Sequence, residues 1–307
     1  MITSSNELQL HTPKVSIGMP VYNGSAFIRE ALDSLLAQTF ADFELIISDN
    51  ASTDDTEQIC KSYACMDKRI RYIRHQENHG ALANFQFVRD EARGEYFMWA
   101  AADDIQKPQM IEKLISVLDV HNWICCAMCD VENIYENATE TRFSASLDDV
   151  RLASVARNWK RTRKRFFRNP TSNIYFCVYG LHRTSMIKQV EMNYKDKMRY
   201  LASSEIPILA QLALMGPVCS VEECLKTYRR HKMSGYHEEQ SQISQRQKLA
   251  HFVGTSLVLV DIVGGSALPL LEKIILYATI VSSGLTWLVF YGLRTSIAIL
   301  RASKSFK

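Results

Sequence analysis

Two adjacent carboxylates, Asp103-Asp104, close the aromatic run Tyr96-Phe97-Met98-Trp99-Ala100-Ala101-Ala102, and Pro108 follows shortly after. Neighbouring acids repel each other and resist desolvation, so stability alone does not account for them at the end of a buried strand. A divalent cation removes both objections, because Mg²⁺ or Mn²⁺ takes carboxylate oxygens together with substrate phosphates. The competing reading is a helix N-cap ahead of the helix after Pro108. A cap needs only one acid and no aromatic strand leading into it. Three more polar clusters interrupt apolar stretches: Tyr22-Asn23-Gly24-Ser25, Asp49-Asn50 and Asn78-His79-Gly80.

The elements that must position these clusters alternate. Val15-Ser-Ile-Gly-Met reads as a strand ended by Pro20 and followed by Val21. Ile28, Ala31, Leu32, Leu35 and Leu36 then mark one face of a helix, with Ser25 as a candidate cap. Phe43-Glu-Leu-Ile-Ile-Ser is a second strand, and Ser52-Thr53-Asp54-Asp55 carries capping-box chemistry for the next helix. Ile70-Arg-Tyr-Ile-Arg, a helix over 81–92, the aromatic strand, a helix over 109–118 and a strand at Trp123 continue the pattern. Strands alternating with helices imply a parallel sheet with right-handed crossovers. Ligands of such sheets bind beyond the carboxyl ends of the strands, and all four clusters fall at that edge. No G-x-G-x-x-G follows the first strand and no G-x-x-x-x-G-K-[ST] occurs. Phosphate charge must therefore be met by a metal and basic side chains.

Composition sets outer bounds. The 307 residues, 22% charged and 47% hydrophobic, describe an ordinary globular chain. A formal charge of +3 does not imply a nucleic-acid partner. The eight cysteines lack a disulfide-framework spacing, and Cys126-Ala-Met-Cys129 lies in an apolar run, which favours a buried strand over metal or redox use. The polar start, residues 1–12, lacks a basic segment followed by an apolar one, so a cytoplasmic location is expected. The sequons at Asn23, Asn50 and Asn137 are then not expected to carry glycans.

Val15-Ser-Ile-Gly-Met-Pro-Val-Tyr-Asn-Gly, the stretch from Gln38 to Thr56, and Arg93-Gly-Glu-Tyr-Phe-Met-Trp-Ala-Ala-Ala-Asp-Asp together resemble family 2 inverting glycosyltransferases of GT-A fold. The match is close over 13–120 and traceable to about residue 232. It implies a GT-A domain over 13–232, a mostly parallel, Rossmann-like sheet flanked by helices. Residues 13–120 form its nucleotide-sugar half and 121–232 its acceptor half, with a helical, apolar region over 233–307. The resemblance assigns Pro20, Val21, Tyr22, Asn23, Asp49, Asn50, Gly80, Asn84 and Asp103 to the nucleotide-sugar side. Asp104, with Asp103, is assigned to Mn²⁺ or Mg²⁺. It assigns the catalytic base to Glu205, whose plain alternative is a first-turn helix acid favoured by the dipole. His231, in Tyr228-Arg229-Arg230-His231, is assigned to the diphosphate, against a surface histidine in a basic turn. Three positions depart from the family pattern: Asn50 and Glu205 where relatives usually show Asp, and Ala101 where a leading Asp is usual. The Q-x-x-R-W signature of processive relatives is missing, which implies one sugar per binding event.

Arg157, Lys160, Arg161, Arg163, Lys164, Arg165 and Arg168 place seven cations in twelve residues beside Trp159, Phe166 and Phe167. No nucleic-acid motif accompanies them. The readings are a solvated helix face or contact with anionic headgroups or a lipid-pyrophosphate acceptor. Residues 274–293 hold no charge and are long enough to span a bilayer, although Thr279, Ser282, Ser283 and Thr286 form a polar stripe. A spanning helix, an in-plane helix and a packed appendage all fit. The expectation is a metal-dependent inverting glycosyltransferase that uses a nucleotide-diphosphate sugar and a glycan or lipid-linked acceptor, cytoplasmic and at a membrane surface, with a homo-oligomer allowed. The alternatives are a non-catalytic nucleotide-sugar-binding subunit and a membrane scaffold or adaptor.

Overall fold

The computed structural model describes residues 11–135, 138–143, 150–168, 177–192, 194, 205–231 and 245–283. The chain forms two compact units, Met1–Ile115 with Leu181–Gln189, and Ser116–Gly180 with Val190–Lys307.

In the first unit, strands β1 (Val15–Val21), β2 (Phe43–Asp49), β3 (Ile70–Arg74) and β4 (Tyr96–Trp99) are parallel, in the order β3-β2-β1-β4. β2 and β4 are buried throughout and β1 nearly so, as a sheet covered on both sides requires, whereas the edge strand β3 carries Arg71, Tyr72 and Arg74 and is only partly buried. The short β8 (Leu181–Arg183) adds to β4 in the antiparallel sense, through Tyr96↔Arg183 and Phe97↔His182, in keeping with a mostly parallel sheet. Helix α1 (Ile28–Leu36) buries Ile28, Ala31, Leu32 and Leu35, the face read from its spacing. Helix α3 (Ala81–Asp90) lies close over β1 because residue 18 is glycine. A Cβ there would sit 2.7 Å from Val88 Cγ2 and 2.9 Å from the Phe97 ring. Helix α2 is Thr56–Met66, α4 is Met110–Val120 and the short α6 is Thr184–Ile187.

Several expected boundaries shift for identifiable reasons. The aromatic strand stops at Trp99, and 100–104 turn away before the short β5 (Ile105–Gln106). Ser25 does not cap α1, whose N-cap is Phe27; the Ser25 N–H instead donates to Asp54 at 3.0 Å. Ser52 does not cap α2 either, because its hydroxyl accepts the Asn23 N–H at 2.9 Å. Asp54 meets the start of that helix, accepting the Thr56 N–H at 3.0 Å.

In the second unit, β6 (Cys126–Tyr135) pairs in parallel with β9 (Val218–Arg230) and antiparallel with β7 (Ala138–Phe143). The strand expected from Trp123 begins three residues later. Its register against β9 slips on both sides of Asp130. Arg151 pins that irregularity, donating to Asp130 at 2.7 Å, to the Val221 carbonyl at 2.6 Å and to Ser220 Oγ at 3.1 Å. Cys126 and Cys129 are buried within β6 and every cysteine is a free thiol, as a buried strand rather than a redox pair requires. Burial pushes the Cys129 thiol up to about 12.

Helix α5 (Leu152–Arg168) kinks at Asn158, whose side chain accepts the Arg161 N–H at 3.1 Å and so caps the second half. Helix α7 is Glu205–Met215, and it packs on α8 (Gln245–Gly265). Residues 270–283 are helical again after a break at 266–269. Of the uncharged stretch 274–293, residues 274–283 belong to this second helix, and 284–293 lie outside the described residues. No described helix is long and apolar enough to cross a membrane.

Candidate functional site

The carboxyl ends of β1, β2 and β4 belong to one unit, and the polar clusters there are built from ordinary consequences of strand geometry. In parallel neighbours the register sets which ends coincide: Val21 lies beside Asp49, and Asp49 beside Arg74. Side chains alternate along β3, so Tyr72 and Arg74 share one face. Both reach Asp49, which is fully buried. Its Oδ2 accepts the Tyr72 hydroxyl at 2.7 Å and the Arg74 guanidinium at 2.9 Å, and its Oδ1 accepts the Ser52 N–H at 2.8 Å. Burial pushes the Asp49 carboxyl up, but the bonds from Ser52, Tyr72 and Arg74 outweigh it, and the net position is below the usual carboxylate range. Asp49 is therefore an ionised anchor of the 50–53 loop.

That loop is tied to the one after β1. Asn23, at a positive φ of 52°, accepts the Thr53 N–H at 2.8 Å through its side chain. The Gly24 N–H donates to Thr56 Oγ1 at 2.9 Å. Tyr22, next to this junction, leaves half its surface (50%) in solvent at the strand end. An exposed aromatic ring on a fixed backbone offers a stacking face.

Asn50 and Asn84 are buried, and both amides are engaged within the protein. The Asn50 Nδ2 donates to Asn78 Oδ1 at 2.8 Å and to the Gly80 carbonyl at 3.2 Å, while its Oδ1 accepts the His79 N–H at 3.0 Å. Asn84 donates to the Ser48 carbonyl at 2.9 Å and accepts the Ser48 hydroxyl at 2.5 Å. Gly80 begins α3 at φ 86°, ψ 161°, a region that side chains rarely occupy. Asn50 thus orders the 78–80 turn, and Asn84 locks α3 onto the end of β2. The Ser48 hydroxyl also bonds His75 at 2.8 Å, and burial holds the His75 imidazole below its usual value.

Pro20 and Val21 close β1, and the Val21 carbonyl accepts the Asn50 N–H at 2.9 Å. Asp103 and Asp104 turn off the end of β4, Asp103 half-buried and Asp104 fully buried. Two adjacent carboxylates are the hard oxygen donors that Mg²⁺ and Mn²⁺ prefer, so the residues present fit such an ion. Among the described residues no group of three or more His, Cys, Asp or Glu could hold a metal. Among the described residues this pair is what such an ion would take from the protein, and phosphate or water oxygens would complete the shell.

Two expected site residues belong to the second unit. Glu205 is the first residue of α7. His231 follows the end of β9 and is buried; Arg230 beside it donates to Asn133 at 3.2 Å. The sequence reading missed Tyr72, Arg74, Ser48 and His75. The β3 alternation that places Tyr72 and Arg74 on one face was the signal for the first two.

Comparison with known proteins adds the following. The family model described as Glycosyl transferase family 2 matches residues 16–189. An uncharacterized glycosyltransferase of Rickettsia felis is 39% identical over 122 residues, covering 39% of this chain and 20% of that protein. One of Haemophilus influenzae is 25% identical over 77% of this chain and 72% of its own length. The chain thus spans only a fifth of the first of these relatives. Among solved structures, S. aureus TarS 1-349 in complex with UDP superposes with a TM-score of 0.63 at 16% identity, covering 87% of this chain and 70% of TarS. A mannosyltransferase of Pyrobaculum calidifontis in complex with GDP-Man and Mn²⁺ gives 0.54 at 14% identity, over 94% and 81%. These likenesses show the GT-A fold.

Proposed function

The chain belongs to glycosyl transferase family 2, and from that premise we propose that it moves a single sugar, with inversion, from a nucleoside-diphosphate donor to a glycan or lipid-linked acceptor. The reaction depends on Mn²⁺ or Mg²⁺, runs at the cytoplasmic face of a membrane and serves surface polysaccharide or glycoconjugate synthesis. One observation carries this reading: Tyr22-Asn23, Asp49-Asn50 and Asp103-Asp104 all stand at the carboxyl ends of three strands of one sheet. UDP and UDP-GlcNAc in TarS and GDP-Man with Mn²⁺ in the Pyrobaculum enzyme support a nucleotide-sugar donor here.

Each residue then has a task. Tyr22 offers its exposed ring to the base. Asn50 holds the 78–80 turn against the same edge, so the turn's backbone, rather than the Asn50 amide, borders the nucleoside. Asp49 keeps the loop ends of β1 and β2 together through Ser52. Asp103 and Asp104 would hold the divalent ion, which neutralises charge on the departing diphosphate when bound. Glu205 takes the acceptor hydroxyl's proton as that oxygen attacks the anomeric carbon, and its place in the first turn of α7 suits a carboxylate. His231 meets the diphosphate.

The test is nucleoside-diphosphate release and sugar transfer in Mn²⁺, after a thermal-shift screen has identified the donor. Asp104→Ala is expected to lower turnover at least about a hundredfold, the equivalent of about 3 kcal/mol of transition-state stabilisation. Glu205→Gln is expected to lower it by about 10²- to 10⁴-fold while leaving donor binding intact. Parent-rate turnover in either variant removes the corresponding assignment.

A further inference from the structure

We infer that α5 and the helical residues 270–283 together form a docking surface for an anionic lipid bilayer, a stripe of cations beside an apolar ridge. The inference deepens the membrane-face part of the proposed function and rests on that reading.

Lys160 and Glu272 pair at 2.5 Å, and Arg163 shares the same carboxylate. Further along, Ser283 Oγ donates to the Arg168 carbonyl at 2.6 Å. The contacts advance together along both segments, so the two helices run parallel and side by side. At about 100° per residue, Glu272, Leu276, Thr279 and Ser283 form the stripe turned toward α5. Leu276 and Thr279 are buried, as that position requires.

The remaining faces follow from rotation. Arg161, Lys164 and Arg168, all exposed, lie roughly a quarter turn from Lys160 and Arg163 around α5. Leu271, Ile275 and Ala278, also exposed, lie roughly a quarter turn from the contact stripe in the opposite rotational sense. For two parallel neighbours, opposite senses bring both stripes to the same side. Cations and exposed apolar side chains therefore line one surface, with Ile274 extending the ridge. Phe166 and Phe167 are both buried, Phe166 on the side away from the exposed cations and Phe167 on the side of Lys160 and Arg163.

Such a surface suits the headgroup boundary of a bilayer. Apolar side chains enter the acyl edge while neighbouring cations meet anionic headgroups. Charge complementarity selects this occupant: among the described residues the ion pairs of α5 are those of Lys160 and Arg163 with Glu272, so that carboxylate already serves two of the helix's cations. Glu272 is held below its usual range chiefly by the hydrogen bond from Lys160, so it stays ionised and keeps the two helices together.

The full chain is mixed with phosphatidylcholine vesicles containing about one third phosphatidylglycerol, and with pure phosphatidylcholine vesicles, and sedimented. Sedimentation with the anionic vesicles only is expected. Arg161→Ala/Lys164→Ala should weaken partitioning by about 25-fold at low salt, about fivefold per cation, with the difference fading as salt rises. Leu271→Ser/Ile275→Ser should weaken it at least about tenfold at any salt. Binding of both variants at the parent level overturns the inference, as does a parent chain that ignores anionic vesicles. A dimer in solution without vesicle binding gives the face to a second copy and also overturns it. Nucleotide-sugar thermal shifts in the same samples separate the two claims. Vesicle binding without a donor shift sinks the transferase reading alone, and a donor shift without vesicle binding sinks the docking surface alone.

Discussion

Replacing Asn50 with the acid that the family pattern favours is expected to damage this protein. In Asn50→Asp the carboxylate still accepts the His79 N–H, but the two donations to Asn78 Oδ1 and the Gly80 carbonyl vanish. Those acceptors stood 2.8 and 3.2 Å from the Asn50 nitrogen and would face a negative oxygen instead. Two lost hydrogen bonds amount to about 2 kcal/mol. The site is 2% exposed, so the buried charge adds at least about 1 kcal/mol more. Asn50→Ala removes all three bonds, about 3 kcal/mol on the same count, yet introduces no charge. At pH 8 both variants are expected to fall below the parent, with Asn50→Asp at least as destabilised as Asn50→Ala.

Thermal melts of the three proteins at pH 8 and pH 5 check this. A deficit of about 3 kcal/mol corresponds to a Tm lowered by roughly 10 °C. The sign of the pH effect is fixed by the same geometry. Burial between two acceptors raises the introduced carboxyl above its unfolded value, so its protonated form is the stable one. The deficit is therefore largest at pH 8 and shrinks as pH falls through the raised value, when the proton restores one donor. An Asn50→Asp protein as stable as the parent at pH 8 refutes the argument, as does a deficit that grows on acidification.

Gly80→Ala meets no atom within 4 Å, so only backbone strain at φ 86° opposes it, about 1–3 kcal/mol. Donor affinity should fall together with the Tm, measured by calorimetry and melting. Gly18→Ala faces Val88 and the Phe97 ring inside 3 Å and should cost about 1–3 kcal/mol in denaturant melts. The depressed Asp49 carboxyl contributes stability that is full above its unfolded value near 3.8 and is lost as pH falls through the lower folded value. Acid titrations of Asp49→Asn should accordingly lack that part of the parent's acid limb. Iodoacetamide should modify the exposed Cys65 first, whereas Cys60, whose thiol burial pushes up to about 12, should react only on unfolding.

Much of the frame was legible because its signals are local. The apolar strands, the Ile28–Leu35 helix face and the polar residues at strand ends follow from periods of 2 and 3.6, which neighbouring residues reveal by themselves. The same locality made the adjacency of Tyr22-Asn23, Asp49-Asn50 and Asp103-Asp104 readable: parallel strands put their carboxyl ends at one edge. The limits lie where a side chain has two partners to choose between. Ser52 and Ser25 both carry capping chemistry, yet neither caps, because Asn23 and Asp54 across the loop compete for them.

What residue order alone determined was the succession of strands and helices, the chemical character of each strand end and the basic run after residue 156. Only the tertiary structure decided that Asn50 is spent on the 78–80 turn, that Tyr72 and Arg74 keep Asp49 ionised, and that Glu272 lays one helix along α5. Pairing across 20 to 110 residues depends on how elements pack, and a hydrogen-bonding side chain commits only when packing delivers a partner within about 3 Å.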